Sequence, residues 1–583
     1  MAALDCVLLC CLFARPSFAA EAPPTARYDV EIKAPGTLAR TLRADLDLLR
    51  WRLYQGMSRD LLDRLVDEAQ AQLEDMLAAE GYFSPVIAHS IEGEAAPWMV
   101  RFEIDPGAAA LVSEVRITLV GTLVNEPARA ERGRALILER WPLPEGARFR
   151  QQDWDLAKRR AVAVVAADRF ASASLVSSRA TIDPVTHTAQ LEVEIDSGPG
   201  FRFGEVEVSG LVRYPPSIVR NLAPFTPGDP FDQAALDLFQ RRLTATGHFS
   251  AVQVELDNDP TRAAGAPVRV SVIEGNSRRF DAGVGYSTDT LYSARIGYVN
   301  NDFRGLGWRL RNDARLESRS ARATSTLTLP AGTDGWQNGY SVRYEQSDIS
   351  GLDQQEGSVA FTRTAINERR QPQWSLSAHV QEQKPVAGDR DLVAATFAAF
   401  RYTLRATDDL LSPNRGLTLS GQIGVAPPGL STQSFVRGLG QAAAWIPLGR
   451  SNTLVLRAQA GAVGTGDVSR VPQSFLFRTG GDTTIRGYAY ESIGVSREGA
   501  IVGGRLFALG SAEAIHWVSD LWGLAAFYDV GNAANGLSEM KPLLQGAGFG
   551  ARIRSPLGPL RVDIAYGEST RQVRLHLSIG ASF

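Results

Sequence analysis

One arginine stands out for the company it keeps. Arg486 lies in Phe477-Arg-Thr-Gly-Gly-Asp-Thr-Thr-Ile-Arg-Gly-Tyr488, inside a stretch from about Thr465 to Gly499 that shows no clear strand pattern. Long loops within a compact domain usually carry function. Arg486 sits between Ile485 and Gly487, so it can press close against a wall. A guanidinium held away from water needs carboxylates, ideally in paired, forked contacts. The runs that follow offer three. Glu513 shares a strand face with Arg505 and Ser511. Asp529 alternates with outward Tyr528 and Val530, which turns it inward with Phe527 and Gly531. Asp563 points the same way in Leu560-Arg-Val-Asp-Ile-Ala-Tyr566. The chemistry on offer is ion pairing: a lock on a loop, with Asp482, Gly487 and Tyr488 beside the arginine. The plainer alternative is an arginine in a solvated outer loop.

Other chemistry is poorly supported. The six histidines, His89, His187, His248, His379, His516 and His576, are scattered, and none forms an i, i+4 metal pair. No G-x-S-x-G elbow appears. Gly546-Ala-Gly-Phe-Gly550 superficially resembles a nucleotide loop, but it sits in a strand pattern with no helix after it. We therefore expect no enzyme, metal or cofactor. A net charge of −3 argues against a nucleic-acid partner.

The elements that would position these residues are strands. From about residue 280 onward, short alternating runs recur between Gly, Asn, Asp and Ser clusters, the pattern of a membrane barrel. In the last run Val573, Leu575, Leu577, Ile579, Ala581 and Phe583 face one way, and Arg574, His576, Ser578, Gly580 and Ser582 the other. Sixteen candidate strands fall between Phe280 and Phe583, and an even number suits a single-chain bacterial barrel. Lipid cannot satisfy an open row of backbone groups, so the sheet is expected to close, first strand on last. A soluble β-sandwich or propeller is the competing reading, although no blade repeat is evident. Residues 280–583 are thus read as an all-β, 16-stranded antiparallel transmembrane barrel.

Ahead of it, one plan occurs three times: a strand, amphipathic helices ending in an aromatic turn, then two strands closing on Gly. The opening strands are Tyr28–Ile32, Val115–Val120 and Phe203–Val208. The turns are Gly81-Tyr-Phe-Ser84, Asp168-Arg-Phe-Ala171 and Gly247-His-Phe-Ser250. The closing strands are Val100–Ile104, Leu191–Ile195 and Val268–Val272. These define α+β modules at 27–107, 111–199 and 201–275. Leu62, Val66, Ala69, Leu73 and Leu77 line one helix face; Phe231, Ala235, Leu238, Phe239 and Leu243 line another. Each small sheet keeps an exposed edge that could accept a strand from a partner, or the modules could be simple spacers.

Residues 1–20 read as a cleaved secretion signal, with an apolar run Val7–Phe13 and small residues before Ala20, although Asp5 replaces the usual basic start. Cys6, Cys10 and Cys11, the only cysteines, all lie within it.

Specific motifs now enter. Gly480-Gly-Asp-Thr-Thr-Ile-Arg-Gly-Tyr488 resembles the loop-six motif of outer-membrane assembly factors that join POTRA domains to a barrel. Phe527-Tyr-Asp-Val-Gly531 resembles the family's Phe-x-Asp-x-Gly strand, and Ser555-Pro-Leu-Gly-Pro-Leu-Arg-Val-Asp563 its penultimate hairpin. The three modules resemble POTRA domains, and their number and the chain length are closest to the translocation and assembly module subunit, the TamA branch. The resemblance implies that Arg486 enters the lumen and pairs with Glu513 and Asp529, with Asp563 a weaker addition. It implies a sideways-opening seam between residues 280–286 and 574–583, with Phe280, Gly283, Gly285, Gly580 and Phe583 as its candidates; Gly580 permits a kink. It also implies periplasmic modules, a TamB-like inner-membrane-anchored partner, and unfolded outer-membrane proteins of the autotransporter type as clients, with phospholipid movement, general barrel assembly or a passive pore as alternatives.

Overall fold

The computed structural model describes residues 26–410, 413–449, 451–554 and 560–579. The signal at 1–20, the Ser555–Pro559 part of the hairpin motif, and Gly580 and Phe583 lie outside them. The chain forms two compact units. One holds the first two modules and part of the third; the other holds the rest of the third with the barrel.

In the first module, Tyr28–Lys33 pairs parallel with Trp98–Asp105, which also pairs antiparallel with Val86–Glu92, so the closing strand is central. Its alternating face buries Trp98, Val100, Phe102 and Ile104. Against them lies helix Arg59–Ala79, whose Leu62, Val66, Ala69, Leu73 and Leu77 are all buried, as their spacing predicts. Ser58 starts that helix by accepting the Leu61 N–H at 3.3 Å. The second module repeats the topology with Leu111–Val120, Thr188–Asp196 and edge strand Ser174–Asp183. The third orders Phe203–Ser209, Ala266–Glu274 and Phe249–Leu256 in the same way. Its helix, Gln233–Ala245, corrects the expected face. Leu236, Phe239 and Leu243 are buried, while Ala235 and Leu238 are only half-buried. Phe231 is buried too, but it precedes the helix and so follows a different period.

The barrel has sixteen antiparallel strands in chain order, from Arg278–Ser287 to Gln572–Ile579. Strand Trp522–Ala534 shows how the sequence builds the wall: exposed and buried residues alternate for most of its length. Large apolar side chains such as Trp374, Ile423 and Val573 cover the outside. Among the described residues no helix is long and apolar enough to cross a membrane; the strands do so. Within this second unit the third module is tied to turns of the barrel. His248 Nε2 lies 3.0 Å from the Gly307 carbonyl, Asn301 donates to the Gly247 carbonyl at 2.6 Å, and Arg242 donates to that of Ile366 at 2.7 Å.

The barrel is nearly closed. The sheet ends at Arg278–Ser287 on one side and Gln572–Ile579 on the other, and among the described residues no ladder joins them. The first strand explains part of this. Gly283 and Gly285 offer no side chain to pack across the gap, and the strand is exposed on both faces.

Candidate functional site

Between the eleventh strand, Asn452–Thr465, and the twelfth, Leu506–Trp517, the chain makes the barrel's sixth long-side loop. This loop is folded rather than loose. It carries the small hairpin Val495–Arg497 and Ala500–Val502, and its Phe475, Phe477, Ile485, Tyr488 and Ile493 join a buried cluster with wall residues Phe397, Phe435 and Phe507. The loop therefore fills part of the lumen, and burial of its apolar side chains holds it there.

Arg486 sits at its tip, 1% exposed, and is the largest fully buried side chain among the described residues. Its Nε and Nη2 donate to the two oxygens of Asp529 at 2.7 and 2.9 Å, a bidentate fork, and its backbone N–H adds a third bond to Asp529 at 3.1 Å. Nη1 donates to Glu513 at 2.8 Å and to Asp563 at 3.1 Å. The guanidinium carbon stands 3.4 Å from the centroid of the Phe527 ring. Ser511 donates a further bond to Asp529 at 2.7 Å. All three acids chosen by strand parity thus converge on the one arginine.

Two features could not be read ahead. Arg552, on strand Leu544–Ile553, donates to Glu513 at 2.7 Å and to Asp563 at 2.5 and 3.2 Å, so a second guanidinium shares the acids. The inner face of the same strand carries Gly546, Gly548 and Gly550. A Cβ at Gly546 would fall 1.9 Å from the Arg486 carbonyl oxygen, and one at Gly550 1.9 Å from the Asp563 carboxylate. Bare backbone is what lets the loop lie against the wall. The nucleotide-like glycine run is a seat for the loop.

Gly487 has a φ of +95°, and a Cβ there would meet the Gly567 nitrogen at 2.6 Å. Its N–H donates to His576 Nε2 on the last strand at 3.0 Å. The Tyr488 hydroxyl donates to the Gln545 carbonyl at 3.0 Å and accepts from the Ser569 hydroxyl at 3.0 Å. Asp482 departs from its expected place. Among the described residues it makes no ion pair with Arg486; its N–H donates to Asp289, in the turn after the first strand, at 2.8 Å. Gly480 and Gly481, both at positive φ, turn the backbone so that Asp482 faces away from the arginine. Of the seam candidates, Phe280, Gly283 and Gly285 lie on the first strand, which pairs with the second strand on one side and ends the sheet on the other.

Sixteen lipid-facing strands, a folded loop clamped in the lumen and small α/β modules ahead of them define an outer-membrane barrel of the modular kind. A model of the Omp85 superfamily domain matches residues 273–583, and the chain belongs to that superfamily. Residues 29–106 match the POTRA domain described as TamA domain 1, and residues 201–275 the surface antigen variable number repeat, also a POTRA model. The outer membrane protein assembly factor BamA of Nitratidesulfovibrio vulgaris is 25% identical over 414 residues, which take in 67% of this chain and 52% of that protein. The chain spans about half the length of that curated relative. The solved structure of BamA from Haemophilus ducreyi lacking POTRA domains 1-3 shares the fold, with a TM-score of 0.59 and 18% identity over 81% of this chain and 100% of that one. The protein resides in the outer membrane, with its N-terminal modules in the periplasm.

Proposed function

We propose that this protein inserts or secretes unfolded outer-membrane proteins, of the autotransporter type, by lateral opening of the seam between its first and last strands. The observation that carries this reading is that, among the described residues, no ladder joins Arg278–Ser287 to Gln572–Ile579. Two free edges beside a lipid-covered wall can each accept a client strand by β-augmentation. New strand pairing and lipid burial then drive release into the bilayer, with no nucleotide hydrolysed. In this reading Arg486, held by Glu513, Asp529 and Asp563, is the lock that fixes loop six while the seam works. The N-terminal modules offer exposed edge strands, Val86–Glu92 and Ser174–Asp183 among them, to a TamB-like partner anchored in the inner membrane.

The test is to staple the seam. Cysteines are placed at Val284 and Val573 in a chain with Cys6, Cys10 and Cys11 replaced, and bridged with a flexible bis-maleimide. Bridged protein in proteoliposomes should fail to assemble an unfolded autotransporter barrel, and cleaving the linker should restore assembly. Full activity in the bridged form would remove the seam from the mechanism. A passive pore predicts steady conductance that bridging leaves unchanged.

A further inference from the structure

Arg486 does not explain how loop six meets the two ends of the sheet. The loop touches both. Through Gly487 it bonds His576 on the last strand, and through the Asp482 N–H it bonds Asp289 in the turn between the first two strands. Asp289 and His576 also face each other directly, Oδ1 to Nδ1 at 3.6 Å, with side chains only 7% and 3% exposed. The bond from Gly487 fixes the imidazole. Nε2 accepts that N–H, so in the neutral ring the proton must sit on Nδ1. That Nδ1 has no other hydrogen-bond partner, and it points at the Asp289 carboxylate. An orphaned buried donor aimed at a buried acid on the opposite side of an unpaired seam is a contact that only the shut seam can offer.

We propose that Asp289 and His576 are positioning residues that clasp the outer end of the seam through loop six, and that a proton shared between Asp482 and Asp289 sets whether the clasp holds. This rests on the lateral-opening reading above. The Asp482 carboxyl lies against that of Asp289. Burial, and then the charge of Asp289, push it up to about 6, while the same pairing with His576 and the Asp482 N–H holds Asp289 below the usual range despite its burial. Protonated Asp482 can donate to ionised Asp289, which in turn faces the His576 N–H. Ionised Asp482 sets two half-enclosed negative charges against each other. The sign follows: an acid whose value is raised in the clasp favours it below the ordinary value of 3.8, and that contribution is lost as pH rises through about 6.

Other charges face the group. Arg561 on strand Leu560–Gly567 bears on Asp482 and favours its ionised form. Asp563 is the ladder partner of His576, but it is already engaged by Arg486 and Arg552. Tyr490 packs beside Gly481, where a Cβ would fall 2.6 Å from Asp289. The clasp therefore adjoins the Arg486 cluster through one pair of strand neighbours, His576 and Asp563.

The experiment uses the full chain in lipid nanodiscs, with spin labels at Val284→Cys and Val573→Cys and the native cysteines replaced. Electron-electron distances are read at about pH 5 and about pH 8, with and without a urea-unfolded outer-membrane barrel polypeptide. We expect a short, narrow distance in acid that lengthens and broadens with a midpoint near 6. Asp482→Asn should stay short at both pH values, whereas Asp289→Asn and His576→Gln should be broad at both. A wild-type distance that moves with the added polypeptide but not with pH, or an unchanged pH response in Asp482→Asn, overturns the clasp and leaves seam opening intact. A distance that responds to neither overturns both.

Discussion

Arg486 reaches Asp529 by three separate bonds, two from its guanidinium and one from its own backbone N–H. The backbone bond ties the path of the loop, and not only its side chain, to the wall. Asp529 thereby reports both the charge and the position of the loop tip.

Arg486→Ala should leave the barrel folded but depress client assembly. Removing one partner of a buried pair costs about 3–5 kcal/mol. Here the loss falls mainly on Asp529, because Arg552 still serves Glu513 and Asp563. Heat-modifiable gel mobility reads the barrel, and reconstituted assembly reads function. Wild-type activity in a folded variant would dismiss the lock.

Charge reversal at Asp529 should be worse than loss of Arg486, since it adds a cation to a dry site that already holds the guanidinium groups of Arg457, Arg486 and Arg552. Asp529→Asn placed on Arg486→Ala should recover stability, because the orphaned carboxylate is gone. A double-mutant cycle on urea unfolding measures the coupling, expected at about 0.5–3 kcal/mol. Simple additivity would show that the pair is not coupled.

Gly487→Ala should unseat loop six. Left-handed backbone alone costs on the order of 1–2 kcal/mol for a residue with a Cβ, and the methyl would collide with the backbone at Gly567. Trypsin should then cut at Arg478 or Arg497 in folded barrels that resist it when wild type. Equal resistance would mean the strand next to Gly487 can shift.

Acid should loosen the third module before the barrel. The Glu274 carboxylate accepts the N–H groups of Val212, Arg213 and Tyr214 and pairs with the Arg213 side chain at 2.8 Å. Burial alone would raise its value, but Arg213 and these donors outweigh it and pull it from 4.5 to about 2. The stabilisation is present above 4.5 and is lost as pH falls toward 2. Amide exchange in residues 205–275 should rise across that window, and Glu274→Gln should show the same exchange at neutral pH. A flat profile would refute it.

The acids were legible in the sequence because strands alternate: outward Tyr528 fixes Asp529 inward, and the same parity fixes Glu513 and Asp563. The first module's helix face was legible for the analogous reason at period 3.6. Arg552 was not singled out, although outward Phe549 puts it on the inner face, because nothing in the sequence shows that its strand neighbours the acids of the lock. Asp289 was hidden in Ser287-Thr-Asp-Thr290, which reads as an ordinary turn. Asp482 was grouped with Arg486 because both lie in one loop motif, and the two positive-φ glycines that turn it away leave no periodic trace. The place of the seam came from the family resemblance; that no ladder joins its two strands among the described residues was not legible, because closure is a demand of the bilayer as a whole, while Gly283 and Gly285 act locally.

The bare glycine track at Gly546, Gly548 and Gly550 has a consequence for the order of biogenesis. Loop six is made before the strand it rests on, so its berth does not exist when it leaves the ribosome. The arginine must wait, solvated, until the last hairpins have formed, and only then dock as a keystone. Docking contacts of that kind span long stretches of chain and come late. Maturation of this barrel should thus end with the seating of loop six.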